Sequence, residues 1–188
     1  MFPLRLPEDA DPVRPRARRT LSSRIIRFDD PCRGERRRVQ QFIEAAYAEA
    51  YGGQIQAHFP TLMSVQDEAG VIYAAVGFRH AAEAPLYLEQ YLDGSVETVL
   101  SQAIGAVIDR AQVVEIGSLA SSGQGATVFL FAAMAHHLQS EGLRFAVATA
   151  TDELRRIFHK AGLGALQLAR ADPRRLDDGG GSWGAYYQ

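Results

Sequence analysis

Glu115 is a carboxylate in an otherwise apolar run, Val113-Val114-Glu115-Ile116. The run leads into a string of small residues, Ser121-Ser122-Gly123-Gln124-Gly125-Ala126. Burying an acid in a strand is costly, and burial lifts its pKa toward basicity useful at neutral pH. The alternative for Glu115 is a structural ion pair, with Arg79 as partner. Loop amides and a helix N-terminus can aim their N–H groups at one point, which suits a phosphate-bearing ligand. Arg79 ends a second apolar run, where it can grip a carboxylate or phosphate bidentately or neutralise Glu89, Asp93 or Glu115. Glu89 and Asp93 lie four apart and share a direction in either a helix or a strand, which suits a cationic acceptor or a solvated edge.

These residues need a scaffold of strands and helices. Ser23–Asp29 reads as a strand, and Pro31–Tyr51 as a helix with Val39, Phe42, Ile43, Ala46 and Tyr47 at helical spacing, ended by Gly52-Gly53. Thr61–Gln66 and Val71–Phe78 read as strands joined by the turn-like Asp67-Glu68-Ala69-Gly70. Pro85–Leu92 is a short apolar-aromatic segment and Val96–Ile104 a helix. A strand over Val113–Leu119 precedes a helix over Thr127–Glu141 that Gly142 closes. Phe145–Thr149 is a further strand, Asp152–Lys160 a helix capped by Asp152, and Leu166–Ala169 a last strand. Strands paired early and alternating with helices later predict one mixed α/β sheet, antiparallel first and parallel-connected afterwards.

The chain has 188 residues, with 20 Lys+Arg against 22 Asp+Glu, enough for one domain with a real core. Arginines crowd the first 38 residues, and residues 1–20 read as a flexible basic arm ahead of a domain over residues 21–188. Such an arm can meet an acidic protein, an anionic membrane or nucleic acid. It lacks the interleaved aromatics that nucleic-acid binding would favour. The single cysteine, Cys32, excludes an internal disulfide and a Cys-rich metal site, and fits a reducing, cytoplasmic setting. No signal peptide or membrane-spanning stretch is evident. His136 and His137 point to different faces of one helix and read as filling rather than metal ligands. His58 and His80 have no partner identifiable from sequence, and no metal site is expected.

Gly77-Phe78-Arg79, Leu88-Glu89-Gln90-Tyr91-Leu92-Asp93 and Val114-Glu115-Ile116-Gly117-Ser118-Leu119-Ala120 resemble the thermostable hemolysin family. The likeness continues through Ala148-Thr149-Ala150-Thr151 with Leu154 and Phe158. It extends to Leu168-Ala169-Arg170-Ala171-Asp172 and Trp183-Gly184 with Tyr186-Tyr187. That family is similar to the GNAT-type acyltransferases, including the acyl-homoserine-lactone synthases, in which a strand-ending arginine and a later strand glutamate match Arg79 and Glu115.

The resemblance implies an α/β (α+β) fold, a single GNAT-like domain with a central mixed, splayed sheet flanked by helices. It implies transfer of an acyl group from an acyl carrier protein or coenzyme A thioester to the amine of a small acceptor, by direct attack within a ternary complex. Glu115 and Arg79 would be catalytic, and Glu89, Asp93, Ser118 and Leu119 would bind substrate. Ser122, Gly123, Gln124, Gly125 and Ala126 would hold the pyrophosphate or phosphopantetheine of the donor. No cofactor would be bound permanently; acyl-CoA or acyl-phosphopantetheine would be the donor. The basic N-terminal region would meet the acidic carrier protein. Tyr186 or Tyr187 would anchor the tail or close the pocket. The alternatives are a membrane-active hemolysin, for which only the helix from Thr127 is apolar enough, and a non-catalytic acyl-CoA-binding protein.

Overall fold

A computed structural model of the chain describes residues 20–30, 33–55, 57–160, 164–176, 179 and 181. Cys32, Trp183, Tyr186, Tyr187 and residues 1–19 lie outside the described residues, and with them the basic arm. Five strands form one sheet in the order β1-β2-β3-β4-β5: β1 (Leu21–Arg27), β2 (Thr61–Asp67), β3 (Ile72–His80), β4 (Val113–Ser121) and β5 (Phe145–Val147). The first four are antiparallel neighbours, and β5 runs parallel to β4. The helices are α1 (Arg33–Tyr51), α2 (Val96–Ile104), α3 (Gln124–Ser140) and α4 (Asp152–Lys160). The fold is a mixed α+β sheet flanked by helices, as the sequence implied.

The two sheet faces bury different partners because successive strand residues alternate in direction. Met63, Val65, Ala74, Val76, Phe78, Val114 and Ile116 pack beneath Leu130, Phe131, Met134 and Leu138 of α3. Ile26, Leu62, Ala75 and Ala120 pack on the other face against Val39, Ile43 and Tyr47, which recur along α1 at helical spacing. The hairpin between β2 and β3 turns where expected: the Asp67 carboxylate accepts from the amides of Ala69 and Val71 at 3.0 Å each, and Gly70 takes φ 79°.

The neighbouring strands β3 and β4 are joined by a long connection, residues 81–112. It carries a 3₁₀ turn at Tyr87–Tyr91, then α2, and buries its own apolar cluster, including Leu86, Leu88, Tyr91, Val96 and Leu100 against Val113 and Val147. Three local expectations differ from the structure. Leu166–Ala169 is not a strand; Leu168 instead packs against the connection. β5 stops at Val147 rather than Thr149, because β4 stops pairing with it beyond Glu115. Thr151, not Asp152, caps α4, its hydroxyl accepting from the Leu154 amide at 3.3 Å.

Candidate active site

β4 has nine residues, and only Val113, Val114 and Glu115 pair with β5. β5 ends at Val147, so from Ile116 to Ser121, roughly 20 Å at about 3.3 Å per residue, β4 has no strand paired on that side among the described residues. Within this stretch the ladder to β3 slips: Ala75 faces Ala120 and Gly77 faces Gly117, so β4 takes one more residue than β3 over that interval. The extra residue makes a β-bulge at Ser118, whose φ is 52°, the single non-glycine positive φ among the described residues. A bulge re-aims backbone groups and costs strain at such a residue. Ser118 and Leu119 are half-buried there.

The C-terminal end of β4 leads into α3. The helix begins at Gln124, three residues before the expected start, so Gln124, Gly125 and Ala126 form its first turn rather than a loop. The first main-chain bond of the helix runs from the Thr127 amide to the Gly123 carbonyl at 3.2 Å. The three preceding amides are therefore the orphan donors of a helix N-terminus. Ser122 anchors the approach, its amide and hydroxyl donating to the Tyr73 carbonyl at 2.8 and 3.0 Å. A Cβ added at Gly123 or Gly125 would meet nothing within 4 Å, so a ligand has room to approach the backbone closely.

Glu115 is the last β4 residue paired with β5, and its side chain reaches the 81–112 connection. It is 2% exposed, and its two oxygens accept from the Tyr87 and Leu88 amides, each at 2.9 Å. Burial pushes its pKa up, while those amides and the nearby Arg79 charge oppose the rise. The register partner of Glu115 is Arg79. Its guanidinium donates to the Pro85 carbonyl at 3.1 Å and lies 5.6 Å from the centroid of the Phe59 ring.

Phe59 was not singled out from the sequence. Its ring lies across two cross-strand partners, Gly77 and Gly117, where an added Cβ would fall 2.8 Å from ring atoms at Gly77 and 2.7 Å at Gly117. Buried Arg36 fixes this segment, donating to the Phe59 carbonyl at 2.7 Å, to Pro60 at 2.9 Å and to Ile26 at 3.4 Å. A signal was present: isolated glycines within two apolar strands mark a close approach by another group.

Glu89 and Asp93 do not face one way. Glu89 turns inward, accepting from Arg110 at 2.6 and 3.0 Å and from the Leu86 and Val96 amides at 2.7 and 2.9 Å. The Arg110 guanidinium, helped by those amides, holds the Glu89 pKa down to about 2. Asp93 is 95% exposed at its side chain and pairs with Arg175 at 2.9 Å. Arg110 also holds Glu97 at 2.7 Å, and Arg175 donates to the Tyr91 and Leu92 carbonyls.

The histidines lie elsewhere. His58 bonds Glu44 through Nε2 at 2.8 Å, while its buried Nδ1 has no protein partner. His80 and His137 flank Glu141, at 3.4 and 3.6 Å, beside a cleft of about 270 Å³ at the other end of the sheet from the α3 N-terminus. Among the described residues no group of side chains could hold a metal ion.

The thermostable hemolysin family profile matches residues 30–188. Several solved structures share the fold. The acyl-homoserine-lactone (AHL) synthase LasI is 13% identical, with 80% of this chain and 85% of that one covered at a TM-score of 0.57. FeeM, an N-acyl amino acid synthase from uncultured soil microbes, is 14% identical, with 80% and 83% covered at 0.54. An aminoglycoside acetyltransferase from an uncultured soil metagenomic sample is 12% identical, with 78% and 90% covered at 0.51. No curated protein sequence matches the chain. At these identities the likeness is one of fold.

Proposed function

The chain belongs to the thermostable hemolysin family, and we propose that it is an N-acyltransferase of the GNAT type, moving an acyl group from a thioester to the amine of a small acceptor. The donor is acyl-CoA or an acyl carrier protein, and the acceptor an amino acid or related metabolite. The observation that carries this reading is the stretch of β4 beyond Glu115 that β5 leaves unpaired, with the Ser118 bulge midway and the α3 N-terminus at its end. A pantetheine arm laid along β4 would put its phosphates at the amides of Gln124, Gly125 and Ala126 and its thioester beside Ser118 and Leu119.

In the reaction the acceptor nitrogen attacks the thioester carbonyl carbon. The C–N bond forms, the C–S bond breaks, the sulfur leaves as the carrier thiol, and the amine releases one proton. A backbone N–H at Ser118 or Leu119 would stabilise the oxyanion of the tetrahedral intermediate; such a donor contributes ~10²–10³ in rate. Arg79 serves the acceptor side. Glu115 acts there too, through the Tyr87–Leu88 turn that it holds in place. A carrier-protein donor would be met by the arginine-rich residues ahead of β1.

The test is thiol release and product mass for the purified protein, given acyl-CoA and acyl carrier protein thioesters with a panel of amines. Amine-dependent thiol release and an amide product are expected. Thioester binding without turnover across the panel would leave a non-catalytic binder. Leakage of liposomes without acyl transfer would instead support a lytic role; no helix among the described residues is long and apolar enough to cross a membrane.

A further inference from the structure

Arg79 differs from the other well-anchored arginines near the site. Arg110 is matched by Glu89 and Glu97, Arg175 by Asp93, and Arg36 by three carbonyls. Among the described residues no carboxylate lies within ion-pair distance of Arg79, whose protein hydrogen bond goes to the neutral Pro85 carbonyl. We propose that Arg79 and Phe59 form the acceptor subsite, and that it takes an amino acid by its carboxylate in preference to an acceptor that is cationic throughout. The assignment rests on the transferase reading.

Four features support it. A guanidinium held against an aromatic ring keeps in-plane N–H donors for a bidentate carboxylate. The ring is fixed in turn, since the Gly77–Gly117 pair admits it and Arg36 clamps the backbone of its segment. The nearby acids are engaged: both oxygens of Glu115 bind amides, and Glu89 binds Arg110 and two amides. A polyamine would therefore meet the Arg79 charge with no carboxylate there released to pair with it. Finally, the ring covers Gly117, the residue before the Ser118 bulge. The subsite thus adjoins the bulge at which the thioester is proposed to lie.

The experiment uses the full chain, octanoyl-CoA and three acceptor sets: the common amino acids, their carboxamides, and spermidine. Products are read by mass. Amino-acid products are expected to exceed the carboxamide products more than tenfold. In Arg79→Gln the KM for the preferred amino acid should rise roughly 10–100-fold, and the preference for amino acids over their carboxamides should collapse toward one. Arg79→Lys should recover part of the preference, and Phe59→Leu should weaken it. Equal acylation of carboxamides, preference for spermidine, or an Arg79→Gln variant that keeps the preference would overturn the subsite and leave the transferase standing. If no acceptor is acylated, the transferase reading falls. The subsite is then judged by thermal shift: the amino-acid set should raise the Tm of the wild type but not of Arg79→Gln, and the carboxamide set should raise neither. Absence of that carboxylate-dependent shift overturns the subsite on its own.

Discussion

The 81–112 connection and the 117–127 segment adjoin the same strand and handle polarity in opposite ways. In the connection the acids are tied: Glu89 and Glu97 to Arg110, and Glu115, reaching in from β4, to two amides of the 3₁₀ turn. In the 117–127 segment the notable groups are backbone amides, at a bulge with a strained φ and at a helix start where added atoms would meet open space. Charge here holds a scaffold in register, while the donors suited to a developing oxyanion and to phosphates are main-chain groups. Backbone donors are well suited to that task because they need little reorganisation as charge develops.

The sharpest break of this contrast is Leu119→Pro, which deletes one bulge amide and restricts Ser118 as the residue before proline. Acyl transfer should fall ~10²–10³-fold, with circular dichroism checking that the sheet persists. Unchanged turnover would remove the oxyanion assignment. On the other side, Arg110→Met strips the partner from Glu89 and Glu97. Denaturant titration should show a loss of about 2–3 kcal/mol, below the figure for a fully buried pair because these groups keep some solvent contact. Glu89→Gln combined with Arg110→Met should recover part of it. The pH dependence follows from the depressed Glu89 pKa of about 2. An unfolded glutamate titrates near ~4.3, so between these values the unfolded chain binds more protons. Stability from this pair is present above pH ~4.3 and is lost as pH falls toward 2, a slope that Arg110→Met should flatten.

Periodicity carried most of the fold, because the α1 stripe, the Asp67–Gly70 turn and the apolar strands are local patterns. The site was legible in part. The small-residue run from Ser121 to Ala126 and the strand glutamate could be read from residue types. The bulge could not, since it depends on the register of β4 against β3, a pairing between residues distant in sequence. Glu89 and Asp93 looked alike in sequence and diverge because Arg110 and Arg175, far along the chain, draw them apart. Phe59 stayed hidden in a loop; only the glycines beneath it hinted at a close approach. The early start of α3 arose because Gly125 reads locally as a loop residue, yet a glycine is well tolerated in a first turn.

Glu115→Gln tests whether the buried acid is scaffold or base. A glutamine presents an NH₂ where a carboxylate oxygen accepted an amide, so two donors would face each other in a buried site. A loss of about 1–2 kcal/mol in stability is expected, with kcat per folded molecule reduced less than tenfold. A kcat drop of ~10²–10⁴ with unchanged stability would instead make Glu115 the general base. Its pH signature runs opposite to that of Glu89. The folded pKa of Glu115 is raised, so the native state binds more protons above ~4.3, and stability falls as pH climbs through that raised value. Urea titrations across pH should show this limb in the wild type and lose it in Glu115→Gln.

The smallest effect separates the strain of the bulge from its chemistry. Ser118 sits at φ 52°, which glycine adopts without the steric penalty of a Cβ. Replacing Ser118 by glycine relieves that penalty but adds backbone entropy to the unfolded chain, so the two terms partly cancel. The net expected is a gain of about 0.5 kcal/mol, read by denaturant titration. Turnover should stay within twofold, because the bulge geometry and its amides are retained while only the hydroxymethyl is lost. A tenfold loss of turnover in a stabilised Ser118→Gly would mean that the hydroxyl itself touches substrate. The polarising groups proposed along β4 would then include a side chain, and the contrast with the acid-locked connection would narrow.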